Sequence, residues 1–403
     1  MHVTSATGLL AMGPTKSTKL CLTLWPKCAT SKTAKTGNYA DDTWWTIAEA
    51  ERESFQIAYD GVDPETGRPL VASGDRFVLW AVCGDGDFIA NDLHFPHWST
   101  DDMCFGRCLA KKCEGPWAYN EFRPHVSEWI KKPLSAAYLV DNLLAPHHHP
   151  WFRTPGVTVF MLAMDSMHNL DSNGCRSHLL GSMLYEFTYL MYNDQPRKEA
   201  LAKVFGEITE AYMELGIEER IGRLILDMFT DSQKPRQVFP CLSTAVKSAE
   251  QRHLTPVFVR LCLKHNSGSD HDRLRLQCIQ ALDKFDTLSA DSPTVPSASA
   301  GKRMRAALHL FLVSYQGLAA WAASEGFLLY QSVPKFHYTY HMAEQAQFLN
   351  PRAVWCYGFE DMVGIMIQLA HACTLGTPAM GVAVKTLEKY RLAMHHQLTK
   401  HWG

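Results

Sequence analysis

Two continuous apolar runs, far apart in the chain, each stop at an aspartate. The first, Phe77-Val78-Leu79-Trp80-Ala81-Val82-Cys83, runs into Gly84-Asp85-Gly86-Asp87. The second, Val157-Thr158-Val159-Phe160-Met161-Leu162-Ala163-Met164, runs into Asp165. A run that is apolar at consecutive positions reads as a strand buried on both faces, the pattern of a parallel sheet rather than of a solvated antiparallel one. Such strands carry the residues that follow them to one edge of the sheet, so both acids are expected at a strand tip.

The rest of the chain reads mostly as helix. Residues 20–25 alternate and stop at Pro26, which suits a short strand. Residues 44–59 follow a fair N-cap, Asp42-Thr43, and are closed by Gly61 and Pro64, which predicts a helix. After Asp165, Leu179, Leu180, Met183, Leu184, Phe187, Leu190 and Met191 recur at helical spacing. From 199 to 282 the pattern stays helical, with segments expected at 201–215 and 218–229. A Ser/Pro/Ala-rich connector spans 289–300, and helices are predicted over 303–331, over 337–348 and from about Glu360. The predicted fold class is α/β, with a core at 1–195, an all-α insertion at 196–335, and C-terminal helices at 336–403 completing the core. Residues 2–6 read as the interior of an element, so a truncated start is expected.

Composition narrows the function classes. The 403 residues are 46% hydrophobic and 20% charged, enough to build a large core. Lys plus Arg is 39 against 41 Asp plus Glu, a net charge of −2, so the broad positive field of a nucleic-acid coat protein is missing and any DNA contact must be local. No eighteen-residue apolar stretch and no cleavable leader are evident, so neither a membrane partner nor export is expected. The twelve cysteines are scattered and lie mostly in apolar segments, which fits reduced thiols in an intracellular protein.

Asp85 (or Asp87), Asp165 and Glu360 are the acids that elements of the core could bring together. Hard Mg²⁺ ions about 3.5–4 Å apart need oxygen ligands of this kind. Each acid alone also suits turn chemistry or a helix cap. On the predicted helix 359–372, Phe359, Val363, Met366, Ile367 and Ala370 form the expected buried stripe, with Glu360 at its border and Gly364 one turn below. His168, three residues after Asp165, shares a helical face with it and can bond to it.

These segments carry a resemblance. Met164-Asp165-Ser166-Met167-His168-Asn169-Leu170-Asp171, with Leu179-Leu180-Gly181 further on, resembles the Asp-x-x-His segment of DDE transposases that have an RNase H-like core and a helical insertion, such as the CACTA and hAT groups. Gly84-Asp85-Gly86-Asp87 through His94-Phe95-Pro96-His97 to Cys104 and Cys108 is similar to the stretch around their second acid. Lys335-Phe336-His337-Tyr338-Thr339-Tyr340-His341, Asn350-Pro351-Arg352 and Glu360-Asp361-Met362-Val363-Gly364 resemble the approach to their final Glu. The resemblance implies an RNase H-like core, DNA as partner, Mg²⁺ (or Mn²⁺) as cofactor, Asp85 and Glu360 as catalytic metal-binding acids with Asp87 as a substitute for Asp85, and Asp165 with His168 as an accompanying pair. The family's first acid lies upstream of the strand at residue 20, yet residues 1–19 hold no Asp or Glu. Ser172-Asn173-Gly174 also departs from the usual Leu-Gly. The implied protein is a transposable-element-derived, catalytically degenerate one, nuclear if functional, and compatible with a homo-oligomer.

Soft ligands form a further group. His97, Cys104, Cys108 and Cys113, in a loop at about 94–117, could supply tetrahedral Zn²⁺, or could be a reduced cysteine cluster. His337 and His341 stand at i and i+4, but without a Glu beside the first His they are expected to serve packing or phosphate contact. His147-His148-His149 between two prolines reads as a surface loop. Two alternatives to the transposase-like reading remain open: a DNA- or protein-binding module without activity, and a zinc-dependent hydrolase.

Overall fold

The computed structural model of the chain describes residues 2–7, 19–25, 43–93, 95, 107–143 and 149–402. Its strands are few. β1 (His2–Thr7) and β2 (Lys19–Trp25) form an antiparallel pair, and β3 (Val82–Gly84) and β4 (Leu162–Met164) form a parallel one. Helices make up the rest of the regular structure: α1 (Thr43–Asp60), α2 (Glu128–Lys131), α3 (Ala136–Leu143), α4 (Cys175–Tyr185), α5 (Arg197–Glu214), α6 (Ser248–Lys264), α7 (Asp270–Asp291), α8 (Ala298–Ser324), α9 (Pro334–Gln345), α10 (Tyr357–Thr374) and α11 (Ala379–Trp402).

The two apolar runs become much shorter strands than their length predicts. Phe77, Val78 and Trp80 lie outside any strand among the described residues and are 58%, 57% and 48% exposed. In the second run Val159–Met161 turns into a 3-10 helix with Val159 buried and Phe160 exposed, and only Leu162, Ala163 and Met164 form the strand. The outer edge of β4 explains why the sheet stops there. The Gln345 side chain at the end of α9 accepts from the Met164 amide at 3.0 Å and donates to the Leu162 carbonyl at 2.6 Å, taking the place of a third strand. Arg107 also donates to the Leu162 carbonyl at 2.8 Å and to that of Val159.

The helical block is less continuous than expected. Residues 216–247 contain no α-helix, only the 3-10 turn Leu226–Met228, where a helix over 218–229 was predicted. Gly216 at φ +66 ends α5, and two prolines, Pro235 and Pro240, keep the following chain irregular. This segment is nonetheless held, because the Leu242 amide donates to the Ser177 carbonyl at 3.0 Å and Cys241 lies directly on Gly181 of α4. No strand from the block enters the β3–β4 sheet among the described residues.

α8 is long and apolar enough by composition to cross a membrane, but Met304, Leu308, Phe311, Leu312, Tyr315 and Leu318 are buried where it packs on α7 and α9, which accounts for its apolarity as core. One continuous apolar core runs from Ala48 of α1 to Ala346 just past α9. α10 and α11 share a separate small cluster of Met362, Met366 and Tyr390. The buried face of α10 is therefore Met362, Met366, Ala370 and Cys373, not the stripe through Val363 and Ile367, the latter being exposed.

Candidate functional site

Gly84 pairs with Met164 in the parallel register, so Asp85 and Asp165 leave adjacent strands side by side. Both then do the same local thing. The Asp85 Oδ1 accepts from the Phe88 amide at 2.7 Å, and Asp165 accepts from the Met167 and His168 amides at 3.0 and 3.1 Å, each capping a turn that leads into a π-helix, Phe88–Asp92 and Met167–Asp171. The turn-capping reading of a strand-end Asp thus holds for both, alongside any further role. Asp85 is partly exposed, and its Oδ2 has no hydrogen-bond partner among the described residues. Asp87 is exposed.

Asp165 is fully engaged. Besides the two amides it accepts from His168 Nδ1 on Oδ2 and from the Cys356 amide on Oδ1 at 2.8 Å. Four donors fill the lone pairs of one carboxylate. Burial works against its charge, but the bonds from His168 outweigh it and hold the carboxyl below the usual range. Burial likewise opposes a charged His168, yet its bonds to Asp165 and Cys356 push it up to about 10, so the pair is ionic at neutral pH.

The Cys356 amide matters because Cys356 is the N-cap of α10. Asp165 therefore holds the start of the helix whose first turn carries Glu360, and a carboxylate at that end is also favoured by the helix dipole. The Cys83 thiol donates to the Val354 carbonyl at 2.6 Å, tying β3 to the same junction. Sγ of Cys83, an oxygen of Asp165 and Sγ of Cys356 lie within 4.8 Å of one another, a cluster already accounted for by these hydrogen bonds. Glu360 is exposed, and a Cβ on Gly364 one turn below would meet nothing within 4 Å, so the space beside the carboxylate is open. Lys335 of α9 donates to the carbonyls of Ser172 and Asn173 at 2.8 and 3.1 Å; burial lowers its pKa against the opposing pull of groups that include Asp165 and Asp85. The structure thus gathers two strand tips, the start of α10 and one half-buried lysine.

A buried ion network lies behind this edge. Arg176 of α4 is fully enclosed and donates to Asp171 at 2.7 Å, to both oxygens of Asp286 at 2.7 and 2.9 Å, and to Thr255. Tyr357 of α10 donates its hydroxyl to Asp171 at 3.0 Å. Beside it a pocket is lined by Ser166, Arg252, Arg352 and Trp355 among others, with both guanidiniums 4.9 Å from the Trp355 ring centroid. Asp171 and Asp286 line the same pocket but are bonded to Arg176, so Arg252 and Arg352 remain the cations that could meet an anion there.

The soft-ligand group is assembled differently from the expectation. Cys108 is buried beside His337 and His341, with Cys108 Sγ 3.1 Å from His337 Nε2 and the two Nε2 atoms 3.1 Å apart. Burial lowers His337 to about 4 and raises Cys108 to about 12. Cys113 is exposed in the bend before Gly115 and is not part of this group. His97 and Cys104 lie outside the described residues, as do His147 and His148. His149 is buried, not on a surface loop, with its ring 4.9 Å from that of Trp151 and its backbone opening a short turn.

Sequence reasoning found Asp85, Asp165, His168 and Glu360; the structure bonds Asp165 to His168, sets Asp85 at the neighbouring strand tip, and links Asp165 through the Cys356 amide to the helix that carries Glu360. It missed Gln345, Lys335 and the Arg252–Arg352 pair, whose roles depend on contacts between distant elements; only the Lys335-Phe336-His337 approach gave any hint. No protein-family model matches the chain, and neither a characterised protein nor a solved structure matches it.

Proposed function

We propose that this chain is a transposable-element-derived, DDE transposase-like protein with an RNase H-like core, which binds DNA and has lost, or nearly lost, strand-scission chemistry. The observation that carries the reading is the junction of β3, β4 and α10, where Asp85 and Asp165 leave neighbouring parallel strands and the Cys356 amide on Asp165 brings Glu360 to the same edge. In the family's reaction, Mg²⁺ or Mn²⁺ would assist attack of water or a 3′-hydroxyl on a phosphodiester. The donor set here does not fit that requirement well. Asp85 and Glu360 have room for a cation, but the lone pairs of Asp165 are spent on four donors, so the site falls a carboxylate short. Asp165 and His168 act as positioning residues for α10 in this reading, and Arg252 with Arg352 contacts phosphate. The setting would be nuclear.

The test is a nicking and strand-transfer assay on duplex oligonucleotides with Mg²⁺ or Mn²⁺. The 403-residue chain is expected to bind duplex without cutting it, and grafting an upstream strand that ends in Asp is expected to restore some cleavage. Robust Mg²⁺-dependent nicking abolished by Asp85→Ala or Glu360→Ala would overturn the loss of activity. A chain that neither binds nor cuts DNA would favour the second reading, a protein-binding module, which the saturation of Asp165 also suits. A zinc-dependent hydrolase has less support, since Cys108 and His337 are buried under Trp129, whose ring lies 4.7 Å from that of His337.

A further inference from the structure

We propose that Cys108, His337 and His341 bind a zinc ion that clamps the segment after Arg107 onto α9. The three ligand atoms lie within 4.8 Å of one another. Tetrahedral zinc with bonds of about 2.0–2.1 Å to nitrogen and about 2.3 Å to sulfur sets two imidazole nitrogens about 3.3 Å apart and a nitrogen and a sulfur about 3.6 Å apart. The two separations around His337 Nε2, both 3.1 Å, need to open only by a few tenths of an ångström, roughly, to admit the ion.

The hydrogen-bond chemistry points the same way. His337 Nδ1 lies 3.1 Å from the Tyr119 carbonyl, an acceptor only, so Nδ1 carries the proton and Nε2 presents a lone pair. A backbone carbonyl on the far nitrogen is the outer-shell bond that orients metal-binding imidazoles. That lone pair faces both the Cys108 sulfur and His341 Nε2, each at 3.1 Å, so the three donor atoms converge. A single ion can accept a lone pair from all three. Burial raises the free Cys108 thiol to about 12, but a thiol that ligates zinc is deprotonated by the ion, and the Ala110 amide on the sulfur favours the resulting thiolate. That thiolate also offsets the charge of an ion placed near Arg107, whose guanidinium is held on the carbonyls of Val159 and Leu162. One thiolate with two imidazoles is a donor set suited to zinc. The fourth position falls to water.

The clamp closes a span of 229 residues between Cys108 and His337. It fixes the helix that supplies Lys335 and Gln345 to the strand tips, so the ion is structural and acts at a distance from Asp85. The inference does not depend on the DNA reading. Protein expressed with zinc, dialysed and analysed by atomic emission should hold one zinc per chain, and X-ray absorption should give a shell with one sulfur and at least two imidazoles. His341→Ala, at the more accessible of the two histidines, should weaken zinc about tenfold or more in competition with a chromophoric chelator, and Cys108→Ser should remove the sulfur from the shell. If Cys108→Ser fails to fold, the wild-type absorption spectrum decides alone. Wild-type protein that takes up no zinc, a shell without sulfur or without imidazole, or zinc affinity unchanged in His341→Ala would each overturn the assignment.

Discussion

Replacing Asp165 with Asn tests the electrostatic centre of the candidate site. His168 is pushed up to about 10 from an ordinary 6.5, so the folded protein holds its proton far more tightly than the unfolded chain does. At pH 7 most of that tighter proton binding is realised, a contribution of about 4 kcal/mol. A raised histidine pKa stabilises fully below 6.5 and ceases to do so as pH climbs through about 10. The lowered carboxyl of Asp165 adds stability above its ordinary 3.8 that is lost as pH falls through its folded value. Asp165→Asn keeps the shape but turns an amide group toward donors on one side, so burial then dominates His168 and drives its pKa below 6.5. Urea unfolding followed by tryptophan fluorescence should show the variant less stable by about 3–4 kcal/mol between pH 5 and 7, the gap narrowing steadily toward pH 10. Nuclear magnetic resonance of the imidazole should report the same shift. A gap that stays flat from pH 6 to 10, or a wild-type His168 that titrates near 6.5, would refute the argument.

Arg176→Met should cost about 3–5 kcal/mol in urea unfolding, since it leaves Asp171 buried beside Asp286 without the guanidinium that bonds both; a loss under 1 kcal/mol would show that the network carries little. Gly181→Ala should lower stability by about 1–3 kcal/mol, because a Cβ there would lie 2.6 Å from the Cys241 Cα and backbone cannot yield as a side chain can; an unchanged melting temperature would argue against that close approach. The double variant Arg252→Ala/Arg352→Ala should weaken duplex binding and lower the slope of log affinity against log salt by about 2, measured by fluorescence anisotropy, whereas an unchanged slope would take both arginines off the phosphate backbone.

Local patterns in the chain were enough to place some parts and not others. The helix at Thr43–Asp60 came from its cap and its closing glycine, and the strand at Lys19–Trp25 from alternation ending at a proline. The Asp165–His168 pair was visible because side chains three residues apart on a helical turn share a face. The strand lengths were not legible, because continuous apolarity implies a partner on both sides and the chain cannot announce that Gln345 will serve one of them. The stripe on α10 was misplaced for a related reason. Met362 and Tyr390 form their own cluster away from the main core, so the side of α10 that is covered depends on α11 rather than on the sheet. For the soft ligands, the histidine spacing on α9 was noticed and Cys108 was grouped with His97, Cys104 and Cys113 in its own loop, but the contact between the two sets joins residues 229 apart, which no local pattern announces.

Closure of β4 by a side chain gives the small sheet a direction of growth. A strand edge with free amides and carbonyls invites another strand from the same chain or from a second copy, and proteins commonly block such edges. Gln345 occupies the Met164 amide and the Leu162 carbonyl, so an incoming strand cannot register on that side without first expelling a buried amide group. Any strand addition, by intramolecular completion or by β-augmentation between copies, is thereby directed to β3 and to the stretch before it, where Phe77, Val78 and Trp80 already stand exposed.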